Sequence, residues 1–295
     1  MNAAFVSLVA ALFGACFGSF LNVCIVRLPE GQSVVSPPSR CPRCGRGIQW
    51  YENIPVASWL ILRGRCAGCS LPISPLYPLV ELGVAVAWGL AFWWLGPTFD
   101  ALRLAVFMTV MIGVAVTDLR TYTIPDGFTV FGLVFLLATS VIAAVTGSGH
   151  LFAGPYDAMF GASTGAGAIA IAMWLGEWVL KRPAMGFGDV TLMAVVGAAL
   201  GPSRSLLTIF LGALLGTIVF VAIVLPLSSR RTAPLVRADP APAPPEAPDA
   251  AIPRPAHAAG ELPEVPFGVF LAPAAVCTLV WGDAIVRWYL AFITR

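Results

Sequence analysis

Long apolar stretches separated by short polar segments dominate the chain, and this pattern predicts helices that cross a membrane. A helix needs about 20 mostly apolar residues to cross the hydrocarbon core. Backbone polar groups in lipid must pair within their own segment, so stretches of this length are expected to be helical. The candidate spans are 3–26, 78–96, 101–118, 127–146, 158–180, 190–201, 204–228 and 267–291. The sixth is short, so we expect a tilted or broken helix, or one that starts inside the preceding glycine motif.

Composition supports an all-α polytopic membrane protein with about eight transmembrane helices. Of its 295 residues, 58% are hydrophobic and only 11% are charged, and the mean hydropathy is +0.86. A soluble domain would carry about 25% charged residues. The net charge of +2 is too small to indicate a nucleic-acid partner. The lipid bilayer is therefore the expected partner, and the oligomeric state stays open.

The distribution of arginine and lysine predicts the orientation in the membrane. With eight spans, the connecting segments alternate between the two sides. Of the 17 basic residues, all but four fall in the set formed by 27–77, 119–126, 181–189 and 229–266. The four on the other side are Arg103, Arg204, Arg287 and Arg295. Because cytoplasmic loops are enriched in basic residues, we expect the first set to face the cytoplasm and both termini to lie outside.

The segment after the seventh span changes in composition. Proline and alanine dominate between Ser228 and Pro266, and such a segment cannot bury enough apolar surface to fold. We therefore predict a disordered cytoplasmic loop over 229–265. The predicted divisions of the chain are a first transmembrane helix (1–26), a cytoplasmic cysteine domain (27–77), a transmembrane core (78–228), this loop and a last transmembrane helix (266–295).

Four cysteines in the first cytoplasmic segment form two Cys-x-x-Cys pairs, namely Cys41, Cys44, Cys66 and Cys69. Each pair lets two thiolates reach one ion from a tight turn, and two pairs complete a tetrahedral set of sulfur ligands. Disulfides are disfavoured in the cytoplasm. The spacing predicts a structural zinc site, with four reduced cysteines without metal as the alternative. Gly45 and Gly68 are expected where the turns need positive φ.

Two aspartates are candidates for catalysis. Asp118 ends the third predicted span and Asp189 begins the sixth, so the predicted topology brings both to one membrane face. Acidic residues are costly in a bilayer and often mark functional sites. Two carboxyl groups in one low-dielectric site cannot both ionise easily. One can then act as general base on a water while the protonated one donates to a peptide carbonyl oxygen.

Two glycines precede the second aspartate. Gly186 and Gly188 lack a Cβ, so the backbone can bend there and let an extended substrate approach closely. In the alternative interpretation Asp189 only caps a helix N-terminus and Asp118 lies in interfacial water. Glu81, early in the second span, has no obvious local partner and either lines a cytoplasmic cavity or extends to the interface.

The order of the motifs resembles the type IV prepilin peptidases, membrane aspartyl proteases of the GxGD type. The matching segments are GSFLNVCIVRLP, CPRC, ENIPVASWLILRGRCAGC, ISPLYPLVE, DLRTYTIPD, MGFGDVTLMAVVGAALG and PFGVFLAPAA. Several separate motifs in the same order are far more specific than a lone Gly-x-Gly-Asp. Three features depart from the family pattern. Leu76 stands where arginine is usual, Val269 replaces a proline, and the proline-rich loop is longer.

The resemblance implies that Asp118 and Asp189 are the catalytic pair. It also implies prepilin and pseudopilin substrates whose short basic leader is cut after a glycine at the cytoplasmic face of the bacterial inner membrane. Members with the four-cysteine domain resemble bifunctional enzymes that also methylate the new N-terminal amine with S-adenosylmethionine. The products would serve type IV pilus assembly or type II secretion. The location of the methyl-donor site does not follow from the sequence.

Other functions are compatible with parts of the pattern. A transporter or proton-coupled channel would use acidic residues near the bilayer midplane and paired broken helices. An inactive scaffold would bind the leader without cutting it. A narrower alternative keeps the peptidase and lacks the methyltransferase.

Overall fold

The described part of the chain is mainly helical. The computed structural model describes residues 2–181, 185–226 and 265–293, and extended structure in these ranges is limited to two isolated bridges in the cysteine loop. The α-helices are α1 (Ala3–Arg27), α2 (Ala57–Ile61), α3 (Leu76–Leu95), α4 (Phe99–Thr121), α5 (Asp126–Thr146), α6 (Pro155–Leu180), α7 (Phe187–Leu200), α8 (Pro202–Val219) and α9 (Gly268–Ile293). A 3-10 helix covers Trp50–Asn53, and a π-helical segment, Phe220–Val224, continues α8. The predicted disordered loop over 229–265 lies, apart from its last residue, outside the described residues.

Seven of the described helices are long and apolar enough to cross a membrane. This confirms the predicted all-α polytopic class. The sixth predicted span is different, because α7 has only 14 residues. At 1.5 Å per residue it is about 21 Å long, whereas the hydrocarbon core is about 30 Å thick. Helix α7 begins inside the glycine motif, at Phe187, which is one of the predicted alternatives.

Helix α4 lies at the centre of the bundle, where it contacts α1, α3, α5 and α9. Thr98 caps its start, because the Thr98 hydroxyl accepts a hydrogen bond from the Ala101 N–H at 3.2 Å. The helix ends where Tyr122 adopts a left-handed φ of 55° and donates its N–H to the Asp118 carbonyl at 2.9 Å. This ending places Asp118 in the last turn of α4.

A buried ion pair closes the other end of α4. Arg103, one of the four basic residues predicted on the outer side, is not at the surface: its side chain is 1% exposed and its guanidinium lies 4.4 Å from the centroid of the Phe152 ring. The guanidinium is 3.4 Å from the Asp100 carboxylate. Asp100 also accepts hydrogen bonds from the backbone N–H groups of His150 and Leu151, at 2.7 and 3.0 Å. Because a buried charge needs such partners, this cluster fixes the α5–α6 connection against α4.

Glycines bring α1 and α3 into close contact. A Cβ added at Gly14 would lie 2.8 Å from the Trp88 side chain, and one at Gly18 would lie 2.7 Å from the Glu81 Cα. Small residues let transmembrane helices approach in this way. Helix α1 therefore lies directly against the backbone of α3 near Glu81, and it also contacts α4.

Glycines also determine the contact between α6 and α7. Gly161 and Gly197 lie against each other's backbone, and Gly165 lies against the backbone of Met193. The two helices are antiparallel, with position 161 opposite 197 and position 165 opposite 193. One helical turn further along, Ile169 therefore lies opposite Asp189. The rest of α6, residues 170–180, then extends roughly 16 Å beyond the level of Asp189. Asp189 is therefore recessed by that distance from the end of α6.

This packing predicts that Gly161→Ala is much more harmful than Gly167→Ala on the same helix. A methyl group at 161 meets the Gly197 carbonyl, whereas one at 167 meets nothing within 4 Å. We expect Gly161→Ala to reduce the free energy of unfolding by about 1–3 kcal/mol. Gly167→Ala should be neutral or slightly stabilising, because alanine favours helix. Thermal unfolding midpoints of the purified protein test this, and equal midpoints for the two variants would contradict the close approach.

Candidate active site and metal cluster

Asp118 is a buried carboxylate at the junction of α4 and α9. The residue is 5% exposed. The backbone N–H groups of Gly268 and Val269, in the first turn of α9, lie next to it. Its Oδ2 atom is fully buried and makes no hydrogen bond within the described part of the chain. An unpaired buried oxygen is unusual in a folded protein, so this atom has capacity for a further partner.

Gly268 determines how closely α9 approaches that carboxylate. A Cβ added at Gly268 would lie 2.8 Å from the Asp118 Oδ2 and 3.0 Å from the Ile124 Cδ1. Any side chain larger than that of glycine would therefore displace the carboxylate or the helix. This role is not predicted from the sequence, where the PFG motif that contains Gly268 is the only signal for it.

Asp189 lies in the first turn of α7, as the third residue of the helix. It is 8% exposed, and the N–H of Gly186 is directed toward its carboxylate. The N-cap position itself belongs to Gly186, which has no side chain to cap the helix. Asp189 is therefore not the N-cap residue, but a carboxylate at this position that accepts the N-cap N–H still caps the helix, so the capping alternative stays a prediction.

Asp118 and Asp189 come from separate helices and lie on either side of Ile124, which contacts both Gly188, the residue before Asp189, and Gly268, which lies beside the Asp118 Oδ2. Within the described ranges neither aspartate forms an ion pair with a basic side chain. Two such groups in a low-dielectric site share a proton rather than ionise together. The pair can therefore supply one proton donor and one proton acceptor to a molecule placed between them.

The two predicted glycines differ in their surroundings. A Cβ added at Gly188 would lie 2.8 Å from the Ile124 Cβ, so this glycine permits α7 to contact the segment that follows α4. Gly186 has only the Gly188 nitrogen, at 4.0 Å, near its hypothetical Cβ. Ile124 thus contacts both Gly188 and Gly268, and it links the helix that carries Asp189 to the helix that covers Asp118.

The four predicted cysteines converge on one point. All four Sγ atoms of Cys41, Cys44, Cys66 and Cys69 lie within 4.8 Å of one another. The Cys41 and Cys69 Sγ atoms are 3.7 Å apart. A tetrahedral site with metal–sulfur bonds of 2.3 Å has sulfur atoms about 3.8 Å apart. The cluster therefore fits one metal ion.

The two Cys-x-x-Cys turns have the same pattern of backbone hydrogen bonds. In the first, the Gly45 N–H donates to the Cys41 carbonyl at 2.9 Å, and in the second the Ser70 N–H donates to the Cys66 carbonyl at 2.9 Å. Gly45 and Ser70 both have positive φ, 69° and 57°. The expectation of positive φ is correct for Gly45 and wrong for Gly68. Gly68 instead permits close packing, since a Cβ there would lie 3.2 Å from the Arg46 Cδ.

A hydrogen bond attaches the cysteine loop to α3, because the Val56 N–H donates to the Glu81 carboxylate at 2.7 Å. Within the loop, the Trp59 indole N–H donates to the Ile73 carbonyl at 3.1 Å. Inside the loop, Arg46 and Glu52 form an ion pair at 2.9 Å. The Gln49 N–H, together with the Arg46 guanidinium, lowers the pKa of the Glu52 carboxyl. The loop is therefore a folded unit seated against α1 and α3.

The fold and these sites define a polytopic membrane protein with a paired-aspartate centre and a separate four-cysteine loop. Two family models match it. The Bacterial Peptidase A24 N-terminal domain matches residues 12–95, and the Type IV leader peptidase family matches residues 105–221. The first match contains the cysteine loop and the second contains both aspartates. No solved structure matches the chain.

Several curated relatives carry the name prepilin leader peptidase/N-methyltransferase. The relative from Pseudomonas aeruginosa is 31% identical over 304 residues, which cover 95% of this chain and 92% of the relative. The one from Aeromonas hydrophila is 31% identical over 312 residues, again 95% and 92%. The one from Myxococcus xanthus is 39% identical over 216 residues, 72% of this chain and 62% of the relative. The chain belongs to the type IV leader peptidase family.

Proposed function

We propose that this protein removes the short leader peptide from prepilins and pseudopilins and then methylates the new N-terminal amine. The observation that carries the peptidase half is the meeting of Asp118 and Asp189, two buried carboxyl groups without a basic partner in the described residues. The names of the relatives, which pair leader peptidase with N-methyltransferase, agree with both halves.

The proposed cleavage needs no covalent enzyme intermediate. The ionised aspartate takes a proton from a water molecule, and the oxygen of that water attacks the peptide carbonyl carbon. The protonated aspartate donates to the carbonyl oxygen, so the negative charge that develops in the tetrahedral intermediate is stabilised. Proton return to the leaving amine then breaks the C–N bond. We do not assign the acid and base roles to individual aspartates, because the pair titrates as a unit.

The proposed location is the bacterial inner membrane, with the aspartate pair facing the cytoplasm and both termini outside. The asymmetry of arginine and lysine supports this orientation. The same end of the bundle carries Asp118, the start of α9 and the cysteine loop, which agrees with a leader that is held in the cytoplasm. The bilayer and the prepilin substrates are the proposed partners, and no nucleic acid is expected. Family membership disfavours the transporter alternative.

The proposed methyltransferase part is the segment 27–77. The proposed ion at its four cysteines is zinc, with a structural role. Four thiolates at tetrahedral spacing suit zinc, and a metal that closes two turns replaces the core that so short a loop lacks. S-adenosylmethionine is the proposed methyl donor, and when bound it supplies a methyl group on a positively charged sulfur. The chain's own residues must bind that donor and the new amine next to each other.

The first prediction concerns the aspartate pair. Asp118→Asn and Asp189→Asn should each reduce cleavage of a prepilin roughly 1,000-fold or more, since groups that act as a unit fail together. Cleavage by purified protein in nanodiscs, followed by mass spectrometry of the product N-terminus, measures this. Asp157→Asn, in the first turn of α6, is the matched control and should cleave normally. If Asp118→Asn or Asp189→Asn cut at the normal rate, the proposed peptidase mechanism would be wrong. If the wild-type protein did not cut at all, the alternative of an inactive scaffold that binds the leader would be favoured.

A second prediction concerns Gly268. Gly268→Ala should slow cleavage at least ten-fold, because the added Cβ would lie 2.8 Å from the Asp118 Oδ2 and displace it. The same rate measurement applies. Gly83→Ala is the control, since a Cβ at this glycine of α3 meets nothing within 4 Å. Normal cleavage by Gly268→Ala would show that the carboxylate position is not critical.

A third prediction tests the metal. Cys44→Ser and Cys69→Ser should each lower bound zinc to a small fraction of the wild-type content and expose the loop to limited proteolysis. Zinc is measured by elemental analysis of purified protein. Cys16→Ser is the control, because Cys16 lies in α1 and is exposed there. Unchanged zinc in the two loop variants would refute the proposed site.

A further inference from the structure

A cavity lies between the cysteine loop and the ends of α1 and α3. Its volume is about 300 Å³, which is at the lower end for small-molecule sites in proteins. Val23 of α1, Tyr77 of α3 and Trp59 of the loop contribute to its walls. It is separate from the aspartate pair, which is built from α4, α7 and α9.

Most charged groups around this cavity already have partners inside the protein. Arg46 is paired with Glu52 at 2.9 Å. The Arg27 guanidinium donates to the Ser33 and Pro37 carbonyls at 2.9 and 2.8 Å. These groups stabilise the loop, so they have less capacity to select a charged ligand.

Glu81 differs from these groups. It is 9% exposed and lines the cavity. Its Oε2 accepts the Val56 N–H at 2.7 Å, and the Ser19 hydroxyl is a further neighbour. In the described part of the chain no basic side chain pairs with it. Burial of an uncompensated carboxylate is costly, and a cation bound in the cavity would offset that cost.

The remaining surfaces of the cavity suit a ligand that is partly aromatic. The Trp59 ring is held in place by its hydrogen bond to the Ile73 carbonyl, and the same edge of the ring packs against Gly64. Such a fixed ring offers a surface on which a purine can stack. Arg40, exposed at the edge of the cavity, supplies a cation for a carboxylate. A purine, a cationic sulfur and a carboxylate are the three recognisable parts of S-adenosylmethionine.

We infer that this cavity is the methyl-donor site, with the Glu81 carboxylate facing the sulfonium of S-adenosylmethionine. The inference rests on the proposed methyltransferase function. In the transfer, the lone pair of the pilin amine forms a bond to the methyl carbon while the bond from that carbon to sulfur breaks. The electron pair returns to sulfur, which leaves as an uncharged thioether, and the positive charge moves to nitrogen. A proton then passes from nitrogen to water.

Direct binding measurements on the full chain in nanodiscs test the inference. Glu81→Gln removes the charge but keeps an acceptor for the Val56 N–H. Isothermal titration should show S-adenosylmethionine bound at least ten-fold more weakly by this variant. Binding of S-adenosylhomocysteine, which has no charge on sulfur, should change less than three-fold. Val23→Trp fills the cavity and should weaken both ligands at least ten-fold.

Controls separate failure of the site from failure of the protein. Glu30→Gln, an exposed acid in the same cytoplasmic segment, should bind both ligands like the wild type. Zinc content and the thermal midpoint of each variant report whether the loop is folded. In wild-type protein, photo-crosslinked S-adenosylmethionine should be found on the peptides that contain Trp59 or Tyr77, which requires no substitution.

The possible results distinguish failure of the cavity assignment from failure of the proposed methyltransferase function. Wild-type protein that cleaves prepilin but binds no S-adenosylmethionine would overturn this inference together with the methyltransferase half of the proposed function. Wild-type protein that binds and methylates, with unchanged affinity in Val23→Trp or crosslinks elsewhere, would overturn the cavity assignment alone. Unchanged affinity in Glu81→Gln alone would overturn the role given to Glu81.

Discussion

Two carboxyl groups without basic partners in the described residues must be accommodated inside an apolar helical bundle, and one end of the bundle is arranged around them. Each lies at a helix N-terminus, Asp189 within the first turn of α7 and Asp118 against the first turn of α9. A helix N-terminus carries the equivalent of roughly half a positive charge. Two such ends favour negative charge at the site without adding a basic side chain that would hold both aspartates ionised. The helix N-termini must lie close to the carboxyl groups for this effect. The absence of a side chain at Gly188 and Gly268 permits that close approach.

The depth of the site determines which substrates can reach it. Helix α6 extends roughly 16 Å past the level of Asp189, and α8 continues through Phe220–Val224 beyond Gly216, the residue that contacts Phe270 near the start of α9. The Asp189 carboxyl group is thus recessed between longer helices rather than exposed in a loop at the end of the bundle. A peptide bond at this depth suits a chain whose next segment is an apolar helix in the bilayer. A soluble peptide would have to leave water to reach the same position.

The sequence predicts features that depend on local pattern and leaves out those that depend on contacts between distant segments. Hydropathy is a local property, so the long helices are predicted well, and the shortness of α7 is visible in the same pattern. The cysteine spacing is likewise local. The role of Gly268 depends on its approach to Asp118 from a helix far along the chain, and Arg103 is buried by a loop that only folding brings over it. Gly68 and Ser70 show the same limit within one turn, because residue type alone does not determine which position adopts positive φ.

The arrangement of the two sites also constrains the order of their reactions. The amine that receives a methyl group exists only after the leader has been cut, so a product must pass from the aspartate pair to the loop side of the bundle. Helix α1 contacts both α3, which carries Glu81, and α4, which carries Asp118, and α3 and α4 also contact each other. The loop is joined to α3 through the Val56–Glu81 hydrogen bond, whereas no described element of the aspartate site belongs to the loop. Loss of the metal should therefore act first on methyl-donor binding, while the helices that hold the two aspartates keep their own contacts.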